Sequence, residues 1–334
     1  MLTLGIETSC DDTAAAVLED GLIRANVISS QDMIHTRFGG IVPELASRRH
    51  MESITVVTRE ALDQARVSLN DIDLIAVTQG PGLIGSLLVG FSYAKALAFT
   101  LNKPFVGVDH MSGHLLSTFL EKDKPSFPFI ALIVSGGTTA LYYAKSYHEF
   151  SLLGRTRDDA AGEAFDKVAR LLNLGYPGGP LVSSRAEKGN SSSLSLPRAW
   201  LNENSLDFSF SGLKTSVLNY CNNCKASQRH IPVEDLCAAF EQAVIEVLVE
   251  KTILAARSSD IDNVVIGGGV SANKRLRSLM SQRCLEEGKK LYLPAPTNCT
   301  DNAAMIAFSG LKQFERGIQG SLSEDVFSRS NLGQ

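Results

Sequence analysis

The chain has 334 residues, 44% of them apolar and 20% charged, the proportions of an ordinary soluble globular protein long enough for two cored domains. Its net charge of −4 excludes a uniform basic coat but leaves room for a local nucleic-acid surface. The six cysteines (10, 221, 224, 237, 284 and 299) are scattered like reduced thiols in a cytosolic enzyme, and Cys221/Cys224 lacks the second pair that a zinc ribbon needs.

In chain order, Leu2, Leu4 and Ile6 alternate with Thr3, Gly5 and Glu7, which predicts a strand at the start of the chain rather than a cleavable signal. A polar turn, Thr8-Ser9-Cys10-Asp11-Asp12-Thr13, follows, and Asp20-Gly21 after Val17-Leu18 signals a hairpin. Residues 47–65 read as a helix and Leu74–Val77 as a buried strand. The loop Gln79-Gly80-Pro81-Gly82 then opens the most apolar stretch, Leu83–Leu101. Gly85, Ser86, Gly90, Ser92, Tyr93 and Lys95 interrupt that stretch, so it reads as a buried helix and not a membrane span. Pro104–Val108 is a short strand that delivers His110 at its carboxyl end. A second round begins at Phe129–Val134 with a strand, a glycine turn and a return strand, Leu141-Tyr142-Tyr143, echoing residues 2–18. Residues 152–220 read as an insertion rich in Gly, Pro and Ser. An amphipathic helix through Leu236, Phe240, Val244, Val247 and Leu254 follows, then a strand at Asn263–Ile266, with Ser271 placed to cap the next helix. The pattern predicts two related α/β halves with a nucleotide in a cleft between them.

Three groups of residues carry the chemistry. His110 and His114 lie four apart, on one face of a helix, and can share one metal ion. Asp301, in Asn298-Cys299-Thr300-Asp301-Asn302, is the candidate third ligand, and two imidazoles with one carboxylate leave positions open for substrate or water. The turns Val134-Ser135-Gly136-Gly137-Thr138 and Ile266-Gly267-Gly268-Gly269-Val270 each end an apolar run, where residues without Cβ let backbone N–H groups approach phosphate. Neither is a Walker A loop nor a G-x-G-x-x-G fingerprint. Two acids stand apart: Asp11 is the candidate catalytic residue, able to orient water, metal or ligand, although a turn aspartate is the plainer reading. Asp166 sits on a predicted helix, where a solvated charge is the plainer reading. Finally, His35, Arg37, Arg48, Arg49 and His50 form a basic cluster of the kind that a nucleic acid would require.

Taken together these stretches resemble the tRNA N6-adenosine threonylcarbamoyltransferase family, once called O-sialoglycoprotein endopeptidases. The match runs through Gly5–Asp11, Pro43–Arg48, Gly80–Leu83, His110–His114, Val134–Gly137, Gly162–Lys167, Tyr176–Pro180, Phe210–Lys214, Gly268–Asn273 and Cys299–Asn302, in family order along nearly the whole chain. The resemblance implies a two-lobed actin/Hsp70-like (ASKHA) ATPase fold. Residues 1–108, completed by a C-terminal helix at about 303–330, form one lobe; 109–302, with the insertion, form the other. It implies one divalent metal, Fe2+ or Zn2+, on His110, His114 and Asp301, with Mg2+ accompanying bound nucleotide. It also places the adenylate of the substrate against Val134, Ser135, Gly136, Gly137, Thr138, Asp166, Gly179 and Asn273. The implied reaction moves threonylcarbamoyl from threonylcarbamoyl-AMP to N6 of the adenosine 3′ of the anticodon, position 37, in tRNAs reading codons that begin with A. A paralogous TsaB-like subunit and a small TsaE-like ATPase are the implied partners, Arg37, Arg48 and Arg49 the candidate tRNA contacts, and the cytoplasm the implied compartment.

Two departures stand out. Thr138 and Thr139 follow Gly137 where the family usually continues Ser-Gly-Gly-His-Thr; little is lost if that turn works through backbone N–H groups. Arg49 stands where bacterial members often carry an acid, which bears on the tRNA face. Of the competing readings, a metallopeptidase lacks the glutamate of H-E-x-x-H, since Met111, Ser112 and Gly113 separate the histidines. A non-catalytic scaffold has no use for a metal triad, and a sugar or carboxylate kinase of the same fold leaves the histidines unexplained.

Overall fold

The computed structural model describes residues 1–199 and 205–333, which divide into two compact units. The first comprises Met1–Lys124, Lys145–Phe150 and Pro294–Gln334; the second comprises Pro125–Ala144 and Ser151–Leu293. The boundary expected near residue 108 therefore falls at 124, and the return falls at 294 rather than 303. The physical reason is packing: the segment after residue 108 docks on the C-terminal helix of the first unit.

In the first unit, β1 (Leu2–Glu7), β2 (Asp12–Glu19), β3 (Leu22–Ser30), β4 (Leu74–Gly80) and β5 (Phe105–Asp109) form one sheet in the order β3-β2-β1-β4-β5. β1 pairs antiparallel with β2 and parallel with β4. The β2–β3 turn is the expected hairpin: Asp20 and Gly21 have φ of 49° and 80°, the pair of left-handed residues that a tight turn between twisted strands requires. On one face of the sheet, Leu4, Ile6, Ile75 and Val77 pack against α2 (Pro43–Ala65) and α3 (Ile84–Leu101). The short α1 (Asp32–His35) precedes α2. On the other face, Leu74, Ala76, Val106 and Val108 meet Met305 and Ile306 of α10 (Ala303–Glu315), which is shorter than the expected 303–330 helix. α3 is the one helix among the described residues long and apolar enough to cross a membrane. Only 33% of it is buried: Leu87, Phe91 and Ala94 enter the core while Phe99 is 74% exposed.

The second unit repeats the plan. β6 (Phe129–Val134), β7 (Thr139–Ala144), β8 (Phe150–Arg155), β9 (Asn263–Gly267) and β10 (Lys290–Tyr292) form a sheet in the order β8-β7-β6-β9-β10. Strand β6 is antiparallel to β7 and parallel to β9, as β1 is to β2 and β4. The expected duplication is thus present strand for strand. Between β8 and β9, the stretch expected to be an insertion rich in Gly, Pro and Ser carries three helices among its described residues: α5 (Ala161–Leu171), α6 (Gly178–Ala186) and α7 (Ser211–Ala226). Its Phe165, Val168, Val182, Phe208, Phe210 and Val217 are buried in one core with α8 (Val233–Ser258). α8 itself is buried on nearly all sides, not along one stripe, because those helices cover what would otherwise be its solvent face. α9 (Lys274–Glu286) completes the unit, and its cap is Asn273, whose side chain accepts from the Leu276 N–H, rather than Ser271. Ser271 lies in a short 3-10 turn (Gly269–Ala272), where its buried hydroxyl has no partner among the described residues.

Candidate functional site

The triad in the first unit is assembled by close backbone contact. A Cβ on Gly5 of β1 would lie 2.2 Å from the Ala303 carbonyl oxygen, and one on Gly310 would lie 2.4 Å from Ala76 Cβ, so α10 rests its backbone directly on the sheet. The short α4 (His110–Leu116) starts where β5 ends, its N-terminus capped by Asp109, which accepts from the Met111 N–H at 2.9 Å. Gly113 turns toward α10, where a Cβ would meet Ile306 and Met305 at 3.0 and 3.1 Å. That contact leaves the i, i+4 face with His110 and His114 turned to the residues just before α10, where Asp301 sits.

His110 and His114 lie with ring centroids 4.7 Å apart and planes at 87°. Their Nε2 atoms are 3.4 and 3.1 Å from Oδ1 of Asp301, and the three candidate ligand atoms all fall within 4.8 Å of one another. Ligands about 2.1 Å from a tetrahedral ion are separated by about 3.4 Å, so the donor set and its spacing fit one divalent ion. His110 is 8% exposed and His114 fully buried. Burial favours the neutral ring at His110, but the charges and hydrogen bonds of Asp301 and Glu7 outweigh it and hold the imidazole protonated well above its usual range. Burial pushes the Asp301 carboxyl up, and the His110 charge reverses that, holding it well below the carboxylate range. At His114, burial wins and the pKa falls. One proton on His110 thus occupies the place of a cation between two acids, and a bound metal ion would take over that charge.

Asp11 lies in the turn after β1 and Asp12 opens β2, both partly buried. Burial, helped by Asp301, pushes the Asp11 carboxyl up; burial, Asp301 and Asp11 push Asp12 up to about 7. The basic cluster does not survive as one. His35 is fully buried, with its Nε2 3.2 Å from Gln31 Oε1, and His50 is fully buried between Thr13 Oγ1 at 2.8 Å and the Cys10 carbonyl at 3.0 Å. Arg37, Arg48 and Arg49 remain exposed, Arg49 paired with Glu52 at 2.7 Å. The helical period decides this, since it turns His50 and Ala46 of α2 inward and the arginines beside them outward.

In the second unit the glycine turn stands at the carboxyl end of β6, closed by Ser135 N–H donating to the Thr138 carbonyl at 2.8 Å. A Cβ on Gly162 would sit 2.5 Å from the Ser135 carbonyl, and Gly268, at φ 86°, would put one 2.5 Å from the Val134 carbonyl. These two approaches bring the start of α5 and the second glycine turn against the first. Gly136 and Gly137 are exposed with open space where a Cβ would be, so their backbone can approach a phosphate. Thr138 contributes its N–H to Ser135 Oγ at 3.1 Å. Asp166 is a framework acid here, its Oδ1 accepting from the Gly178 N–H at 2.7 Å, while the neighbouring Gly179 faces open space. The Asn273 amide donates to Ser183 Oγ at 2.9 Å and Glu241 Oε1 at 2.7 Å, and Ser183 donates to the same Glu241 oxygen at 2.6 Å. Asp158 ties the start of α7, accepting from the Phe210 N–H and Ser211 Oγ at 2.8 Å each.

The family model TsaD, "tRNA N6-adenosine threonylcarbamoyltransferase", matches residues 22–308. The tRNA N6-adenosine threonylcarbamoyltransferase of Desulfotalea psychrophila is 58% identical over 100% of this chain and 98% of its own length. The protein of that name from Bacillus subtilis is 52% identical over 96% and 93%. The chain belongs to this family. Among solved structures, HypF of T. kodakarensis has a TM-score of 0.63 at 17% identity, over 95% of this chain and 48% of that one. The activator of 2-hydroxyisocaproyl-CoA dehydratase from Clostridium difficile has a TM-score of 0.52 at 15% identity, over 97% and 100%. These two likenesses bear on the fold alone, and the fold is the expected α/β one of two actin-like halves.

Sequence reading missed three acids. Glu7 and Glu241 are buried carboxylates, and their signal was an acid within an apolar run: the last residue of Leu2–Glu7, and the residue after Phe240 on α8. Asp158 carried no such signal, since its partners are more than 50 residues away in the chain.

Proposed function

We propose that this protein transfers threonylcarbamoyl from threonylcarbamoyl-AMP to N6 of adenosine 37 in tRNAs reading codons that begin with A, as a metal-dependent enzyme. The observation that carries the reading is the family match along the whole chain. The convergence of His110, His114 and Asp301 supports metal dependence, with Fe2+ and Zn2+ both suited to two imidazoles and a carboxylate. A bound divalent ion supplies Lewis acidity, which polarises a carbonyl oxygen.

In this reading His110 and His114 are buried, and His110 would give up its extra proton when the ion is loaded. Asp11, partly buried in the turn after β1, orients the reacting groups. The backbone of Val134–Thr138 and the open edge of Gly179 receive the adenylate; as N6 bonds to the carbamoyl carbon and gives up a proton, the bond from that carbon to the phosphate oxygen breaks and AMP leaves. Asp166 and Asn273 act on the adenylate by setting the position of the α6 and α9 N-termini. The target base lies in a single-stranded loop, so it is presented without melting a duplex. Arg37, Arg48 and Arg49 are exposed cations suited to phosphate contacts. A TsaB-like subunit and a TsaE-like ATPase are the expected partners, in the cytoplasm, with Mg2+ accompanying nucleotide. The test is mass spectrometry of tRNA nucleosides after incubation with threonylcarbamoyl-AMP, with and without those partners. His110→Ala and Asp301→Ala are expected to abolish the modified nucleoside with the fold retained. Unmodified adenosine under every condition with the unaltered protein refutes the transferase reading.

A further inference from the structure

Glu7 ends β1 with a fully buried carboxylate, which water cannot solvate and which therefore needs donors from the protein. Three segments supply them. The Ser9 N–H donates to Oε1; the Thr78 hydroxyl of β4 donates to Oε2 at 2.6 Å; and Nδ1 of His110 lies 2.9 Å from the same Oε2. The opposite edge of that imidazole faces the triad, with Nε2 3.4 Å from Asp301. His110 is therefore gripped at one nitrogen and presents the other. His114 has no such grip, its buried Nδ1 having no partner among the described residues.

We propose that Glu7 is a positioning residue: by accepting the Nδ1 proton of His110 it fixes the tautomer and tilt in which Nε2 offers its lone pair to the ion. The inference rests on reading His110, His114 and Asp301 as a metal site. Carboxylates that accept from the far nitrogen of a ligating imidazole fix its orientation and raise its basicity. A merely structural Glu7, holding only the β1 turn and β4, predicts a different response to substitution.

Glu7→Gln separates the two. Glutamine has the same shape but one accepting and one donating end. With its oxygen toward Thr78 and His110, the amide NH2 opposes the Ser9 N–H in a buried place. With its oxygen toward Ser9, the NH2 faces His110 Nδ1, which must then accept, moving the ring proton onto Nε2 and blocking the ligating atom. Thr78→Val removes a donor to Glu7 while leaving the His110 contact intact.

The experiment loads the full chain with Zn2+ and with Co2+ under reducing conditions. Affinity is measured by competition with a chromophoric chelator, and the Co2+ absorption bands and circular dichroism are recorded. The unaltered protein is expected to bind one ion, and His110→Ala and Asp301→Ala to lose it. Glu7→Gln should bind about 10–100-fold more weakly, with shifted Co2+ bands and an unchanged fold, and Thr78→Val within about threefold of the unaltered protein. Glu7→Gln with unaltered affinity and bands overturns the role of Glu7 and leaves the triad standing. Unaltered affinity in both His110→Ala and Asp301→Ala overturns the triad itself. Should Glu7→Gln fail to fold, nitrogen NMR of the zinc-loaded unaltered protein decides. A proton on Nδ1 of His110 with metal on Nε2 supports the proposal, and any other arrangement overturns it.

Discussion

Removing the side chain of Asn273 is expected to loosen the second unit by an amount that the local hydrogen bonds predict. In Asn273→Ala the cap of α9 loses its acceptor, at about 1 kcal/mol. Glu241, 8% exposed, also loses the donor that sits 2.7 Å from it, and a buried carboxylate stripped of a partner costs about 1–3 kcal/mol. The sum, about 2–4 kcal/mol, corresponds to a fall in Tm of roughly 5–15 °C. Asn273→Asp keeps the cap acceptor but sets a second carboxylate against Glu241, a repulsion on the order of several kcal/mol at the effective dielectric of protein sites. That pair relieves itself by taking up a proton, so its folded pKa rises above the unfolded value. Stability is then fully present at low pH and falls as pH rises past the unfolded carboxylate range. The assay is urea unfolding at pH 8 and pH 5. Asn273→Asp should be the weaker variant at pH 8 and recover more at pH 5 than Asn273→Ala, whose lost helix cap does not titrate. A loss below about 1 kcal/mol in Asn273→Ala, or no recovery in Asn273→Asp, would falsify the assignment of Asn273 as a framework residue.

Two further outcomes follow from other parts of the structure. Gly178→Ala would place a Cβ 2.6 Å from Asp166 Cα and 2.8 Å from the Phe165 carbonyl, forcing α6 away from α5. It should cost about 1–3 kcal/mol and weaken adenylate binding, whereas Gly179→Ala, with open space around it, should fold normally. Thermal melts beside nucleotide titration check both, and equal melts for the two variants would contradict the packing account. In metal-free protein, Asp12 is pushed up to about 7 by burial, Asp301 and Asp11. A folded pKa above the unfolded one removes stability as pH rises from about 4 toward 7. Asp12→Asn should therefore melt higher than the unaltered protein at pH 8 and alike at pH 4, and a pH-independent difference would refute the shift.

Much of this site could be read along the chain because its parts obey local rules. The spacing of His110 and His114 is a property of one helical turn, and Asp20-Gly21 adopts its hairpin from the conformational freedom of those two residues. In the stretch 152–220, read as an insertion rich in Gly, Pro and Ser, glycines also mark close approaches between elements, such as Gly162 over Ser135 and Gly178 over Asp166. The basic cluster misled because charge counted along the sequence ignores which face of α2 points inward, and two of its members are buried histidines.

The sequence by itself determined the strands, the duplicated plan, the i, i+4 histidine pair and the glycine turns, since each depends on period or backbone freedom within a few residues. Asp301 is already the candidate third ligand in the sequence; tertiary structure decided that it lies 3.1 Å from His114, 187 residues away in the chain, because Gly5 and Gly310 let α10 lie against the sheet. It alone also decided what grips His110. A buried carboxylate gains its meaning from donors in three separate segments, and no local pattern in Leu2–Glu7 names Thr78 or His110 as its partners.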